Sequence, residues 1–194
     1  MQTAGTGAVF PGIFGAAAKS IEWRGLIDPQ ARLKAFEALM LPHLDAAHNL
    51  ARWLARSAPD AEDIVQESYL RAFRFFDGYH GGDSRSWLLT VVRNTFLTWR
   101  KREERRLSDV PLDEEKHGIA PAAAASQGDT ETLRGCIDAL PPEFREILIL
   151  REMEELPYRE IAAIASLPAG TVMSRLSRAR QRLEDCVRRK AAAR

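Results

Sequence analysis

The sequence predicts an all-α protein made of two small helical domains joined by a flexible linker. Apolar residues recur at helical spacing through residues 29–106 and again through residues 131–187. Between these segments, residues 107–130 hold two prolines, an acidic run and an alanine tract, with no amphipathic period. The chain of 194 residues is long enough for each domain to bury its own core.

The two ends of the chain carry weaker patterns. Residues 1–28 include five glycines and no sustained helical period, which predicts a flexible N-terminal arm. Residues 188–194 form a short basic tail that we expect to fray. The sequence has neither a signal-peptide pattern nor a run of about 20 apolar residues. We therefore expect a soluble, cytoplasmic protein without a membrane span.

A net charge of +1 conceals a strong segregation of charge along the chain. Residues 85–106 hold seven basic side chains against two acidic ones, whereas residues 108–131 hold six acids against one lysine. A local basic patch is what nucleic acid requires, and the overall charge would hide it. The charge pattern therefore favours a nucleic-acid partner.

Cysteine and histidine offer no evident site for chemistry. Cys136 and Cys186 lie far apart and outside any CxxC spacing, which favours two buried thiols in a reducing cytoplasm over a disulfide or a zinc site. His80 has no second histidine, cysteine or acid cluster placed to complete a metal site. We therefore expect no bound metal and no cofactor.

Residues 156–183 have the spacing of a helix-turn-helix. Pro168 fits the first turn of a second helix but not the interior of a first, so the chain must turn near it. The apolar stripes of the two helices are Ile161, Ile164 and Ala165, then Val172, Leu176, Ala179 and Leu183. Off the second stripe lie side chains suited to phosphates and guanine edges: Ser174, Arg175, Ser177, Arg178, Arg180 and Arg182. The alternative is an ordinary helical hairpin with a solvated basic face.

A glycine-containing loop at residues 77–84 precedes a helix on which basic and aromatic side chains alternate. We assign Trp87 to the core. The exposed side of this helix presents Arg85, Arg93, Asn94, Thr98 and the basic cluster at residues 100–106. This combination suits a groove for single-stranded nucleic acid, where bases stack on rings and guanidinium groups pair with phosphates.

The preceding helix has a polar outer face. Asp60 is predicted to be its N-cap, and Asp63 adds an acid in the first turn. The predicted inner face is Ala61, Ile64, Val65, Ser68, Ala72 and Phe75. The outer face is Glu62, Asp63, Gln66, Glu67, Arg71 and Arg74. The residues alone are compatible with a solvated face carrying pairs such as Glu67 with Arg71, or with a docking surface.

Two stretches resemble a known family. GTVMSRLSRAR, preceded by DALPPEFREILILREMEELPYREIA, resembles region 4 of the extracytoplasmic-function (ECF) sigma-70 factors, the small initiation subunits of bacterial RNA polymerase. DAEDIVQESYLRAFRFF, followed by SWLLTVVRNTFLTWRKR, resembles region 2 of the same family. The resemblance implies a region 2 domain at residues 29–106 and a region 4 helix-turn-helix domain at residues 131–187.

The resemblance also implies roles for particular residues. Core polymerase, through the clamp helices of its largest subunit, would be bound by Asp60, Glu62, Asp63, Gln66, Glu67 and Arg71. The minus 10 promoter element would be bound by Tyr79, Asp83, Ser84, Arg93, Asn94, Thr98, Arg100 and Lys101. The minus 35 element would be bound by Thr171, Ser174, Arg175, Ser177, Arg178, Arg180 and Arg182. Further implied partners are the polymerase flap and an anti-sigma factor. Met173 stands where many relatives carry a basic residue, and its side chain cannot hydrogen-bond a guanine edge.

Two other functions share part of this pattern. A sigma mimic would bind an anti-sigma protein as a decoy, and a helix-turn-helix repressor or activator would read DNA without polymerase. A mimic has no use for Arg175, Arg178 and Arg180. Repressors of this type usually dimerise on palindromes, and no heptad or second apolar seam is visible. The sequence has no P-loop, Gly-x-Ser-x-Gly or HExxH motif, so we do not expect an enzyme.

Overall fold

The computed structural model describes residues 28–108 and 129–192, which contain α-helices and short 3-10 turns but no strand. The first domain consists of α1 (Pro29–Met40), α2 (Leu44–Ala55), α3 (Ala58–Arg74) and α4 (Ser84–Ser108). The second consists of α5 (Asp129–Asp138), α6 (Pro142–Glu152), α7 (Tyr158–Ala165) and α8 (Ala169–Ala192). The predicted all-α fold is confirmed.

The start of α3 differs from the prediction in its cap. Ser57 is the N-cap, with extended backbone (φ −117°, ψ 132°), and its hydroxyl accepts a hydrogen bond from the amide of Asp60 at 3.5 Å. Asp60 therefore lies inside the first turn, and its assignment as the N-cap was wrong. Pro59 is compatible with this position because the first helical residues need no amide partner. Asp60 still places a carboxylate near the positive end of the helix dipole.

The buried face of α3 follows the helical period until the helix ends. Five of the six predicted inner residues are buried, namely Ala61, Ile64, Val65, Ser68 and Ala72. Phe75 is 61% exposed, so its assignment to the core was wrong. The helix ends at Arg74, and beyond that residue the period no longer dictates direction. Phe76 is buried in its place and packs edge-on against Phe36 with ring centroids 5.3 Å apart.

The second domain contains the predicted helix-turn-helix. α7 ends at Ala165, and its C-cap Ser166 adopts a left-handed conformation (φ 54°) that turns the chain. The carbonyl of Pro168 then accepts hydrogen bonds from the amides of Thr171 (2.9 Å) and Val172 (3.1 Å), which starts α8. All four helices of this domain contribute to its core, and most of α6 is buried.

Two predictions at the C-terminal side of this domain were wrong. Cys136 and Cys186 form a disulfide with their Cα atoms 5.7 Å apart. The 50 residues between them concealed this proximity, which exists because α5 packs alongside α8. The basic tail is also helical as far as Ala192, and Arg188 pairs with Glu184 one turn earlier at 2.5 Å.

The predicted linker and N-terminal arm fall largely outside the described residues. Residues 1–27 and 109–128 are not described, whereas α4 runs to residue 108 and α5 begins at residue 129, both inside the predicted linker. The two domains pack on each other, α2 against α6 and α4 against α7. Within the described ranges, no helix combines the length and the apolar character that crossing a bilayer requires.

Candidate nucleic-acid interface

The second helix of the helix-turn-helix, α8, presents a polar face away from the core. Val172, Leu176 and Ala179 are at most 1% exposed, as their spacing predicts. On the opposite side, Ser174, Ser177 and Arg178 are exposed, together with Arg180 and Arg182. Cβ atoms at i, i+3 and i+4 are neighbours on a helix, so a connected strip runs from Ser174 through Ser177 and Arg178 to Arg182, with Arg180 beside Ser177. We call this strip the recognition face.

The arginines of the recognition face differ in what they contact. Arg180 donates to the carboxylate of Glu152 at 3.0 Å, and this hydrogen bond raises the pKa of the guanidinium. The Arg182 guanidinium lies 4.8 Å from the ring centroid of Phe144. Arg178 is exposed and takes part in no hydrogen bond or ion pair with the described residues. Arg178 is therefore the arginine most available to a base edge.

The remaining predicted residues of α8 lie nearer to the protein. Ser174 donates its hydroxyl to the carbonyl of Thr171 at 3.0 Å, and Thr171 itself is half-buried at the start of the helix. Arg175 is also half-buried. Its guanidinium is close enough to the carboxylate of Glu146 on α6 to favour the charged form of that residue.

A depression of about 330 Å³ beside the recognition face adds an apolar element. Its lining includes Met173, Ser177 and Arg180 of α8, and Tyr158 of α7. Met173 is 55% exposed, so its thioether is available for apolar contact, for example with a thymine methyl group. Sequence reasoning missed Tyr158, although it directly follows the proline that opens α7.

Side-chain hydrogen bonds hold the loop before α4, and three of the predicted minus 10 residues take part in them. Tyr79 is only 3% exposed and its hydroxyl donates to the carbonyl of Gly82 at 2.7 Å. Burial raises the pKa of the Tyr79 phenol. Asp83 accepts hydrogen bonds from the amides of Arg85 (3.2 Å) and Ser86 (3.0 Å), which caps α4.

Ser84 and the loop glycines complete this arrangement. The hydroxyl of Ser84 lies 2.8 Å from Nε2 of His43. Gly81 and Gly82 have φ values of 88° and 97°, which residues other than glycine rarely adopt. Tyr79, Asp83 and Ser84 therefore shape the loop, and the side chain of His80, next to Tyr79 in the sequence, is exposed.

Along α4, the predicted basic and aromatic side chains do share one element. Arg100 is half-buried, lies 5.7 Å from the ring centroid of Phe96 and pairs with Glu104 at 3.4 Å. Thr98 and Lys101 are exposed, and Asn94 is half-buried. Arg93, in contrast, is paired with Glu146 of the second domain. Exposed polar side chains thus lie on the C-terminal half of α4, whereas the guanidinium of Arg93 is occupied by its ion pair with Glu146.

The outer face of α3 is open in the way the sequence predicts. Glu62, Asp63, Gln66 and Glu67 are exposed, and Asp60 is half-buried. We call this set, with Arg71, the α3 acidic face. Arg71 pairs with Glu67 at 2.6 Å, with both side chains partly solvated.

An apolar feature adjoins the α3 acidic face. Leu70 is 58% exposed and lines a depression of about 450 Å³ together with Arg71, Phe73 and Arg74. Sequence reasoning left Leu70 unassigned, although a leucine among the polar residues of an outer face is a signal for a contact surface. Each depression thus lies beside one of the polar faces, the first beside the recognition face and the second beside the α3 acidic face.

Metal binding finds no support in the described parts of the chain. Within residues 28–108 and 129–192, no three histidine, cysteine or acidic side chains are grouped so that they could hold an ion. His80, which was considered as a ligand, lies exposed in the loop before α4.

Comparison with known proteins gives two family matches, one for each domain. Residues 39–106 match Sigma-70 region 2, and residues 130–183 match Sigma-70, region 4. The ECF RNA polymerase sigma factor SigE of Mycolicibacterium smegmatis is 35% identical over 161 residues, which cover 80% of this chain and 63% of that protein. The ECF RNA polymerase sigma-E factor of Escherichia coli K12 is 32% identical over 169 residues, which cover 79% of this chain and 87% of that protein.

Solved structures of sigma factors also match this chain. The sigma factor RpoE of Bartonella quintana, in complex with the anti-sigma factor NepR, superposes with a TM-score of 0.69 at 31% identity. The match covers 80% of this chain and 98% of that one. CnrH, in complex with the cytosolic domain of CnrY, shares the fold with a TM-score of 0.56 at 23% identity, over 80% of this chain and 91% of that one.

A basic, aromatic helix in one domain and a helix-turn-helix in the other define the class of two-domain, DNA-binding transcription proteins. The matches make the assignment more specific. The chain belongs to the ECF group of the sigma-70 family of RNA polymerase sigma factors.

Proposed function

We propose that this chain binds core RNA polymerase through its first domain and directs it to promoters by reading the minus 10 and minus 35 elements. The observation that carries the proposal is the division of its open surface into the α3 acidic face, the α4 helix and the recognition face. These surfaces lie on different helices, so one chain can hold polymerase and two DNA elements at once. We assign no catalytic step to the chain and place its action in the cytoplasm, where bacterial transcription occurs.

The α3 acidic face is the proposed docking surface for the clamp helices of the largest polymerase subunit. Its carboxylates are solvated in the free chain, and Leu70 adds apolar area beside them. Polymerase can therefore bind these groups without first breaking the core of the domain. The second domain would contact the polymerase flap.

The C-terminal half of α4 is the proposed minus 10 surface. Thr98 and Lys101 are exposed there, and Arg100 lies over Phe96. Asn94 and Arg93 extend the surface towards the hydrogen-bonded loop that precedes α4. Cationic groups next to aromatic rings suit a melted strand, because stacking and phosphate pairing both tolerate an open backbone.

The recognition face is the proposed minus 35 surface. Ser174, Ser177 and Arg178 lie in the N-terminal part of α8, where recognition helices reach base edges. Arg180 is oriented by Glu152, whose carboxylate accepts from its Nε and Nη2 and leaves Nη1 to donate, and Arg182 lies over Phe144; both are therefore placed to contact a phosphate in a fixed register.

An anti-sigma factor is the further proposed partner. The Bartonella quintana relative, 31% identical, was solved with an anti-sigma factor bound, and its fold matches that of this chain over most of its length. Affinity purification of the tagged chain from unstressed cells of its host should recover a small protein in stoichiometric amount. A free and fully active chain would contradict this part of the proposal.

The test of the main proposal is a gel-shift assay on a library of duplex promoter fragments with the chain alone, core polymerase alone and both together. We expect sequence-selective binding only in the mixture. Tight, selective binding by the chain alone, with nothing added by polymerase, would instead identify a repressor or activator.

A further inference from the structure

Met173 is a large apolar side chain left exposed near the start of α8. The helix begins at Ala169, and Met173 is 55% exposed, whereas Val172 beside it is fully buried and belongs to the core. A single exposed methionine is ordinary on a protein surface, so its surroundings decide what it can contact.

Met173 lines the depression of about 330 Å³ between α7 and α8. Ser177 and Arg180 line it one and two turns further along the same side of α8, and Tyr158 lines it from α7. Ser177 and Arg180 also belong to the recognition face. Met173 therefore adjoins that face, in the N-terminal part of the helix, where recognition helices reach base edges.

The polar side chains at the Tyr158 end of the depression interact with one another. Arg180 donates to the carboxylate of Glu152 at 3.0 Å. The pKa of Arg180 is raised chiefly by that hydrogen bond and to a smaller extent by the phenol of Tyr158, which lies close enough to hydrogen-bond with it. On the ring of Tyr158, the guanidinium of Arg151 lies 5.1 Å from the centroid. Met173 thus offers exposed apolar surface beside polar groups that are held in place.

The thioether side chain of Met173 determines what it can recognise. It has no hydrogen-bond donor and only a weak acceptor. Among the groups that bases present in the major groove, the C5-methyl group of thymine is the apolar one, and the others are donors and acceptors. Packing Met173 against a donor or acceptor would take that group out of water without a replacement hydrogen bond, which costs free energy. Met173 therefore favours thymine at the base pair that it contacts.

We propose that Met173 determines specificity in the minus 35 element: it selects thymine at one base pair by packing against the C5-methyl group at the edge of the depression that Tyr158 lines. The hydroxyls of Ser174 and Ser177 can pair with more than one base, and Arg178 suits guanine, so Met173 adds a preference that these side chains do not supply. The inference rests on the proposed role of the recognition face in minus 35 recognition and names a base for it.

The test uses core polymerase carrying the chain and a duplex DNA library randomised over the length of a promoter. After selection of the bound sequences, each thymine of the minus 35 element, on either strand, is replaced singly by uracil, which lacks only the methyl group. Fluorescence anisotropy then measures the affinity of the polymerase for each labelled duplex. We expect one replacement to weaken binding about fourfold, the effect of one methyl group removed from apolar contact.

Variants at position 173 assign that effect to Met173. With Met173→Ala, uracil and thymine at this position should bind alike. Met173→Leu keeps an apolar side chain and should keep the difference, whereas Met173→Arg should prefer guanine there, because arginine donates to both acceptors of the guanine edge. Met153→Ala is the matched control: Met153 is 41% exposed at the end of α6 and does not line the depression, so the difference should remain.

Two results would overturn the inference. In the first, no uracil replacement weakens binding. In the second, the difference between thymine and uracil persists undiminished in Met173→Ala, which would assign the methyl contact to another residue.

Failure of the proposed function gives a different result. If polymerase carrying the chain selects no common sequence, the proposed function fails and this inference fails with it. If a common minus 35 sequence is selected but its affinity does not depend on a thymine methyl group and Met173 together, only the role of Met173 is wrong.

Discussion

The guanidinium of Arg180 donates to the carboxylate of Glu152 across 3.0 Å, which joins the recognition helix α8 to the end of α6. Arg178, half a turn earlier on α8, is exposed and has no such partner among the described residues. Two arginines of one helix are thus prepared for different tasks. The oriented one suits the fixed position of a phosphate, and the open one suits a base edge.

The first prediction concerns this division of roles. Arg178→Ala should relax the preference at one base pair of the minus 35 element and cost about 1 to 3 kcal/mol of discrimination, because a bidentate contact to a base is lost. Arg182→Ala should weaken binding to all sequences alike. It should also lower the slope of log affinity against log salt concentration by about one, because one phosphate contact is lost. The measurement is transcription from a minus 35 library at two salt concentrations.

Arg189→Ala is the control, since Arg189 is exposed near the end of α8 and outside the recognition face. Uniform loss of transcription across the library for both Arg178→Ala and Arg182→Ala would identify Arg178 as a phosphate contact.

The second prediction concerns the α3 acidic face. The double change Asp63→Lys and Glu67→Lys should weaken holoenzyme formation while leaving the thermal midpoint almost unchanged. Both side chains are exposed, and the pair between Glu67 and Arg71 contributes about 0.5 kcal/mol or less to stability. Affinity for core polymerase and thermal unfolding are the two measurements.

Glu37→Lys is the control on this domain, because Glu37 is exposed on α1. A large fall in the thermal midpoint of the Asp63 and Glu67 variant, with unchanged affinity for polymerase, would show that these charges serve the fold instead.

The third prediction concerns the disulfide. Replacing Cys136 and Cys186 together by serine should lower the free energy of unfolding by about 2 to 4 kcal/mol, because the cross-link restricts the unfolded chain. Reductant should lower the thermal midpoint of the unmodified chain and leave the double variant unaffected. An unmodified chain whose midpoint is insensitive to reductant would contradict a stabilising disulfide.

The fourth prediction concerns Tyr69, whose hydroxyl donates to the carbonyl of Met40 at 2.9 Å. Burial, with a smaller contribution from Asp45, raises the pKa of Tyr69 to about 12. In the unfolded chain the phenol titrates at about pH 10. The contribution of Tyr69 to the free energy of unfolding is therefore fully present below that pH and is lost as the pH rises towards about 12.

Tyr69→Phe removes that contribution and the hydrogen bond, worth about 1 kcal/mol at neutral pH. Denaturant unfolding measures the free energy of unfolding of both proteins below about pH 10 and again as the pH approaches about 12. The difference in this free energy between the two proteins should shrink at the higher pH. A constant difference would contradict the raised pKa.

The helical period allowed most of the fold to be predicted, because it determines which side chains a helix buries. Val172, Leu176 and Ala179 are buried as their spacing requires. The predictions failed where the period ends or where distant residues meet. Phe75 lies one residue beyond α3, and Cys136 meets Cys186 only because α5 packs on α8.

The candidate site shows the same limit. The outer faces of α3 and α8 were predictable, since they follow from the buried ones. The burial of Glu146 and the pairing of Arg93 were not, because their partners lie 53 residues apart in the other domain. A charged residue on a largely buried helix such as α6 gives no sign in the sequence of which arginine will pair with it.

The most direct test of the central claim is run-off transcription with purified core polymerase and a promoter library, in the presence and absence of this chain. If the chain is a sigma factor, discrete transcripts will appear only when it is added, and their templates will share two spaced sequence elements. Transcription that is unchanged by the chain, from core polymerase shown to be active with another sigma factor of the same host, would contradict it.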